Sequence, residues 1–232
     1  MVLEHWKPVT KDHGLIELPV EAVAAALTSW HESLGISYRR EEIAESLLSA
    51  FDHLLPLTIA KTKRLFVATT AGWTAVFQNG IDGSDPFPAM STLAARLGVR
   101  AMRVCHTDSP YPATIWEVYA PRSLGGIPPL HYRRSLAAAR DGDRWTFHSS
   151  GEPYGFEDTI AYERKRIATR FTKDMLSKYL EIGFALRPFE ESFYVVSPSS
   201  PAIVLHQITG LYAAREYTLE QVKAGEPWID RR

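Results

Sequence analysis

Two apolar runs separated by a very short gap constrain the fold of this chain most strongly. Residues 64–70 (RLFVATT) and 73–78 (WTAVFQ) are rich in β-branched and aromatic side chains, and only Ala71 and Gly72 lie between them. Such residues favour a pleated, half-buried strand. Two strands joined by so short a connection predict an antiparallel β-hairpin.

Two further pairs of runs repeat this pattern. Residues 99–106 and 113–119 flank a turn-rich segment with two prolines, and residues 136–140 and 144–149 flank Asp141-Gly142-Asp143. The Asp-Gly step is typical of a tight hairpin turn. Residues 79–86 (NGIDGSDP) consist almost entirely of turn-forming residue types and predict a long loop after the first hairpin. The sequence therefore predicts a mostly antiparallel sheet built from hairpins.

Helical spacing of apolar residues appears in four segments. The predicted helices span 19–35, with Pro19 in the first turn, 39–51, 87–98, and 158–183, where Asp158 is the expected N-cap. Gly35, Gly98 and Gly183 are the expected ends of three of them. The last is predicted to be one long helix with a charged outer face.

Length and composition favour one globular domain. The chain has 232 residues, of which 45% are hydrophobic and 23% charged, values typical of folded proteins. We expect a single α+β domain over 1–232: a helical N-terminal region (1–57), a β-rich region (60–156), the long helix (158–183) packing on the sheet, and C-terminal strands and tail (184–232). Residues 121–129 (PRSLGGIPP) are interpreted as a loop, and a subdomain boundary there remains an alternative.

Charge and cysteine content indicate the compartment and limit the partners. The net charge is −1, so no overall field attracts nucleic acid or anionic lipid. Arg133-Arg134 and residues 164–166 are basic, but solvated charges explain them more simply than phosphate contacts. No apolar stretch approaches the roughly 18 residues of a membrane span, and no secretory signal begins the sequence. With Cys105 as the single, apolar-flanked cysteine, these features predict a cytoplasmic protein.

Motifs for metal, nucleotide or nucleophile chemistry are missing from the sequence. It contains no Cys-x-x-Cys, His-Glu-x-x-His, Walker loop, Gly-x-Gly-x-x-Gly or Gly-x-Ser-x-Gly pattern, so we predict no metal, cofactor or catalytic residue. Asp82 and Asp85, joined by Glu117 or Glu152, are a candidate carboxylate cluster for acid–base chemistry. Turn formation and helix capping explain the two aspartates more simply.

The order of motifs resembles bacterial cytoplasmic proteins of the immunity-protein type. The resemblance rests on GWTAVFQNG (72–80), the acidic glycine-containing loop after it, a short helix, and RWTFHSSGEP (144–153) followed by a charged helix, within about residues 60–195. It implies a non-enzymatic protein that neutralises a partner toxin by direct binding. The partner-binding residues that we expect on or beside the hairpins are Trp73, Asn79, Asp82, Asp85, Trp116, Glu117, Trp145 and Glu152.

Two other functions stay open from the sequence. One is a small-molecule-binding protein or an enzyme of another class, with a pocket between sheet and helices lined by Trp116, Tyr119, His131, Trp145 and His148. A deep pocket in which a histidine and a carboxylate converge would favour it, whereas an exposed face without convergent titratable groups would favour the protein binder. The other is a structural or assembly subunit.

Overall fold

A computed structural model of the chain describes residues 1–108, 111–210 and 215–229. The α-helices are α1 Val2–His5, α2 Lys7–Thr10, α3 Val20–Glu32, α4 Leu47–Asp52, α5 Phe87–Leu97, α6 Lys173–Phe184, α7 Leu219–Lys223 and α8 Glu226–Ile229. Short 3-10 helices span Arg122–Leu124, Thr159–Glu163, Ile167–Thr169 and Glu191–Phe193. The strands are β1 Asp12–Ile16, β2 Tyr38–Ile43, β3 Leu57–Thr58, β4 Lys63–Thr69, β5 Thr74–Gln78, β6 Ala101–Thr107, β7 Ala113–Tyr119, β8 Tyr132–Asp141, β9 Arg144–Ser150, β10 Tyr194–Val195, β11 Ala202–Gln207 and β12 Glu216–Tyr217.

One large antiparallel sheet organises the fold. Its strand order is β2-β11-β4-β5-β1-β6-β7-β8-β9, and β10 pairs with β4 beyond the end of β11. Each hairpin, β4-β5, β6-β7 and β8-β9, contributes neighbouring strands, and β1 joins the first hairpin to the second. Strands β3 and β12 form a separate pair. None of the described helices is long and apolar enough to cross a membrane.

Side chains alternate between the two faces of the sheet, as the period of two in a strand requires. On one face, residues such as Phe77, Val104 and Trp116 form the larger core with α4, α6 and the segment between β9 and α6. On the other face, Phe66, Val76 and Ala101 pack against α3 and α5. Helices α3 and α5 cover this second face from β11 to the end of β7, where Phe87 of α5 contacts Tyr119, and they reach Tyr132 at the start of β8.

The predicted α+β class is confirmed, together with the three hairpins and the helix near 87–98. Gly98 ends α5 in the left-handed conformation (φ 69°) that glycine adopts without steric cost. Gly142 has φ 56° in the two-residue turn between β8 and β9, as that hairpin requires. Of the predicted turn between β6 and β7, Ser109 and Pro110 lie outside the described residues.

The helix predicted over 39–51 is wrong in its first half. Residues Tyr38–Ile43 form the edge strand β2, which pairs with β11, and only Leu47–Asp52 are helical. The Ser46 side chain accepts a hydrogen bond from the backbone of Ser49 and caps that helix. The region 1–57 is therefore not simply helical, since it also supplies β1 near the middle of the sheet.

The long helix predicted over 158–183 is replaced by two 3-10 turns and the shorter helix α6. Asp158 does act as a cap, but of the 3-10 turn Thr159–Glu163. Thr172 caps α6, which continues past Gly183 and ends with Ala185 in the left-handed conformation. Side-chain contacts of this segment with β8 override its helical spacing. In the predicted C-terminal region, 211–214 and 230–232 lie outside the described residues.

Candidate functional site

An uncovered surface lies on the second face of the sheet, beyond α5. We call it the open face and define it by Ile115, Ala137, Ala139, Thr146 and His148. The register aligns Ile115, Ala137 and His148 in one row across β7, β8 and β9, and Ala113, Ala139 and Thr146 in the next row. The first three residues of the definition are half-buried and the last two exposed. The side chains are small or medium-sized, so the surface is shallow and accessible.

Strand β9 borders the open face and ends the sheet. Within the described residues β8 is its only strand partner. Asp141 and Arg144 pair across the two-residue turn. In such a hairpin the two residues that flank the turn exchange backbone hydrogen bonds, and from there hydrogen-bonded and non-hydrogen-bonded residue pairs alternate along the strands. Thr146 and His148 therefore bond to β8, whereas Trp145, Phe147 and Ser149 direct their backbone groups away from the sheet. We call these outward groups the free edge.

The two ends of the sheet differ in charge. The opposite edge strand, β2, carries four consecutive charged residues, Arg39 to Glu42. Two of them are fixed in ion pairs, Arg40 with Glu21 and Glu42. Charged side chains protect an edge from pairing with another chain. The sequence of β9 is RWTFHSS, in which Arg144 at the start is the only residue with a permanent charge. Its edge lacks the run of charged side chains found on β2.

Three carboxylates surround one guanidinium beside the open face. Arg103 Nη2 lies 2.6 Å from Asp12 Oδ2 and 3.5 Å from Asp85 Oδ1, and Nη1 lies 3.5 Å from Glu117 Oε2. We call Asp12, Asp85, Arg103 and Glu117 the arginine cluster. Asp85 is half exposed, while the other three side chains are mostly covered. The register places Arg103 and Glu117 in a row with Ser135 and Ser150, adjacent to the open face.

Hydrogen bonds hold the charged side chains of the arginine cluster in place. Tyr119 Oη donates to Glu117 Oε2 at 2.7 Å and Tyr132 Oη to Glu117 Oε1 at 3.3 Å. Burial raises the pKa of Asp12, although Arg103 opposes the change. Burial also raises the pKa of Tyr119, and the neighbouring Glu117 adds to the effect. The cluster resembles a structural ion network with satisfied acceptors more than an acid–base site.

Cys105 follows the cluster along β6 but is not an activated thiol. It is buried, with 6% of its surface exposed. Burial, followed by the nearby Asp12 carboxylate, raises its pKa to about 12. A nucleophilic cysteine needs the opposite shift, which agrees with the predicted role of a small buried residue.

A groove of about 1020 Å³ opens where β6 ends, at His106 and Thr107. Its walls come from α1 and α2, the loop at Ile81 and Asp82, the end of β6 with Asp108 and Tyr111 after it, the start of α6, Pro188-Phe189, and α7. His106 lies in it with Nε2 3.3 Å from Asp108 and Nδ1 3.2 Å from Thr114 Oγ1. Burial lowers the pKa of His106, partly opposed by Asp108. Both ring nitrogens thus have partners within the protein.

A buried ion pair holds the segment after β9 onto the sheet. Arg134 and Glu157 have no exposed side-chain surface, and Arg134 Nη2 donates to Glu157 Oε2 at 2.5 Å. Tyr162 Oη and the Tyr154 backbone N donate to the same carboxylate at 2.6 and 2.8 Å. Arg134 is therefore unavailable to phosphates. Arg164 is likewise engaged within the chain, since Nη1 donates to the Thr169 carbonyl at 2.9 Å.

The predicted partner-binding residues separate into four groups. Trp73, Asn79 and Trp116 are buried, so their side chains are not part of the accessible surface. The two tryptophans pack in the core, and Asn79 Nδ2 donates to the Pro56 carbonyl at 2.8 Å. Period-two alternation turns both indoles inward, since Trp116 lies within β7 and Trp73 directly precedes β5.

The remaining five residues are at least partly accessible. Asp85 and Glu117 meet in the arginine cluster, whereas Asp82 lines the groove. Trp145 lies on β9 with a half-buried side chain, and the exposed Glu152 follows that strand. The predicted grouping of an acidic-loop residue with Glu117 is therefore found, bridged by Arg103, while Glu152 is not part of it.

The pocket expected between sheet and helices does not form from the predicted residues. Trp116 and Trp145 belong to the larger core, whereas Tyr119 packs in the second core and His148 lies on the same face of the sheet as Tyr119. Residues on opposite faces of a sheet cannot line one cavity. The groove lies elsewhere and uses none of them.

Sequence reasoning missed the charged residues inside the fold. Arg103 lies in the mostly apolar run VRAMRVC. A charged residue in such a run indicates that it is buried and paired with an opposite charge, and this was the signal that could have found it. Asp12 and Glu157 gave no comparable signal, because their partners lie 91 and 23 residues away in sequence. Within the described residues, no group of three or more His, Cys, Asp or Glu side chains is placed to hold a metal ion.

Comparisons of the chain with protein-family models, curated proteins and solved structures find no significant match.

Proposed function

We propose that this chain is a protein-binding module whose partner adds an extended segment to the free edge of β9 and covers the open face. The free edge carries this proposal. Main-chain hydrogen bonds along an exposed strand provide affinity, and alternate side chains provide specificity. The partner's side chains would lie over Ile115, Ala137 and Ala139, where small residues leave room. Arg144, which is exposed at the start of the same strand, is a residue type enriched in binding hot spots.

The titratable groups near the open face support binding over catalysis. The carboxylates of the arginine cluster are hydrogen-bonded or ion-paired, and burial raises the pKa of the Cys105 thiol. A catalytic site would bring a nucleophile or base with a suitable pKa to an accessible position. The accessible groups on the open face are instead aliphatic side chains, the Thr146 hydroxyl and His148.

We further propose that the partner is a protein toxin, which the chain neutralises by direct binding in the cytoplasm. The resemblance of residues 60–195 to immunity-type proteins supports this more specific assignment. A strand added to β9 would give a stoichiometric complex, as inhibition by occlusion requires.

Affinity capture from the native host tests the binding proposal. The test variant is Ala137→Lys/Ala139→Lys, which places two charges on the open face. The matched control, Ala22→Lys/Ala25→Lys, places the same charges on the exposed side of α3. We expect the wild type and the control to retain a stoichiometric partner that the test variant loses. Circular dichroism confirms that all three proteins are folded.

Co-expression then tests the toxin assignment. The captured partner produced alone should arrest growth, and the wild-type chain but not Ala137→Lys/Ala139→Lys should restore it. A partner without toxicity would refute the immunity assignment while leaving protein binding in place. Equal capture by both double variants would refute the open face as the binding surface.

A further inference from the structure

We propose that the groove binds an amphipathic organic anion, with an apolar body on its floor and a carboxylate head among lysines. This binding site is separate from the open face and independent of the proposed protein partner. The volume of about 1020 Å³ is at the upper end of the range found for small-molecule sites, roughly 300 to 1000 Å³. A ligand with a chain or ring system of drug-like size would fill it.

Lysines around the groove supply positive charge that the protein does not neutralise locally. Lys11, Lys173 and Lys223 line it, and none of them has an ion pair with a carboxylate among the described residues. Lys173 Nζ instead lies 5.2 Å from the centre of the Phe189 ring, and Lys223 Nζ lies 3.3 Å from His5 Nδ1. Neither contact is an ion pair. An anionic ligand would provide the missing charge complementarity.

The acidic residues of the groove offer less free charge. Glu4 pairs with Lys7 at 2.5 Å, and Asp108 lies against His106. Asp82 is the one acidic lining residue without an ion pair within the described part of the chain. Glu4 and Asp108 thus have partners within the protein, whereas Lys11, Lys173 and Lys223 have no ion pair with a carboxylate among the described residues. The groove therefore favours an anion over a cation.

The floor of the groove is apolar and largely preformed. Leu3, Pro8, Ile81, Pro188 and Phe189 contribute to it. Ile81 and Pro188 are buried, and Leu3 and Phe189 are half-buried. Apolar contact gives most of the affinity of such a site, while the few charged groups orient the ligand. An anion without an apolar part, such as inorganic phosphate, should therefore bind weakly.

Calorimetric titration of the full chain tests this with three probes: dodecanoate, dodecan-1-ol and inorganic phosphate. Dodecanoate supplies both features, the alcohol lacks the charge, and phosphate lacks the apolar chain. We expect 1:1 binding of dodecanoate at least about tenfold tighter than of the alcohol, with no detectable binding of phosphate. Equal affinity for dodecanoate and dodecan-1-ol, or no binding of dodecanoate, would overturn the proposal.

Substitution of the lysines locates the site. The variant Lys11→Gln/Lys173→Gln/Lys223→Gln should bind dodecanoate about tenfold more weakly, because each exposed charge contact contributes a modest amount. The matched control is Lys178→Gln, since Lys178 is exposed on α6 away from the groove. Lys173, Lys178 and Lys223 are exposed and Lys11 is half-buried, so folding should be retained. Unchanged binding by the triple variant, or an equal loss in Lys178→Gln, would place the ligand elsewhere.

Discussion

Removing Arg134 should destabilise the fold more than removing any exposed charge. Its guanidinium donates to Glu157 at 2.5 and 2.9 Å and to the carbonyls of Ser150 and Gly151, each at 3.0 Å. In Arg134→Met, the Glu157 carboxylate stays buried and keeps Tyr154 N and Tyr162 Oη as hydrogen-bond donors, but it has no counter-charge. Breaking a buried ion pair in this way costs about 3–5 kcal/mol.

The expected change is large enough to measure by two methods. For a chain of this length, each kcal/mol lowers the Tm by roughly 2–4 °C, so the Tm should fall by roughly 6–20 °C. Urea unfolding followed by tryptophan fluorescence gives the free energy of unfolding independently. The matched control is Arg187→Met, which breaks the exposed pair with Glu181 (2.9 Å) and should cost less than about 1 kcal/mol.

A double variant separates the loss of the pair from the unpaired charge. Arg134→Met/Glu157→Leu removes both ions and should be more stable than Arg134→Met, because no charge stays buried without a partner. If Arg134→Met costs no more than Arg187→Met, the ion pair does not hold this segment to the sheet as we describe.

Three further predictions concern single side chains. Burial lowers the pKa of His13 to about 4, so the stability that the neutral imidazole contributes is present above about pH 6.5 and lost as the pH falls toward 4. His13→Leu should therefore reduce the pH dependence of the free energy of unfolding in this window by up to about 1.4 kcal/mol per pH unit. An unchanged slope would contradict the lowered pKa of His13. Cys105 in the native protein should react with iodoacetamide at pH 8 at least roughly 100-fold more slowly than in urea, a result that comparable rates would refute. Thr172→Ala should cost about 1 kcal/mol through loss of the α6 cap, whereas Thr159→Ala, at an exposed hydroxyl, should cost much less; equal losses in urea unfolding would argue against the cap.

Local pattern predicted the hairpins well because each pair of strands is adjacent in sequence and joined by a short turn. Strand β1 escaped prediction, since DHGLI contains an aspartate, a histidine and a glycine. Its place depends on pairing with β5 and β6, and on Gly14, where a Cβ atom would lie 2.6 Å from the Met90 sulfur of α5. Helical spacing misled over 158–183, because Tyr162 and Glu157 are fixed by the distant Arg134.

The candidate site was only partly predictable for a similar reason. Asp85 is exposed, and Trp145 and Glu117 are half-buried. Trp73, directly before β5, and Trp116, within β7, lie in similar apolar runs but point into the core. Composition cannot distinguish the two faces of a strand before the register is known. The free edge itself is a property of strand order, which no local motif encodes.

Hydrogen exchange of β9 in the presence of the captured partner tests the central proposal most directly. The outward amides of Trp145, Phe147 and Ser149 should exchange rapidly in the free chain and at least about tenfold more slowly in the complex, because a paired strand supplies them with acceptors. The amides of Thr146 and His148, which already bond to β8, should change much less. Unchanged exchange at the three outward amides, with protection appearing at β2 or at the groove, would contradict it.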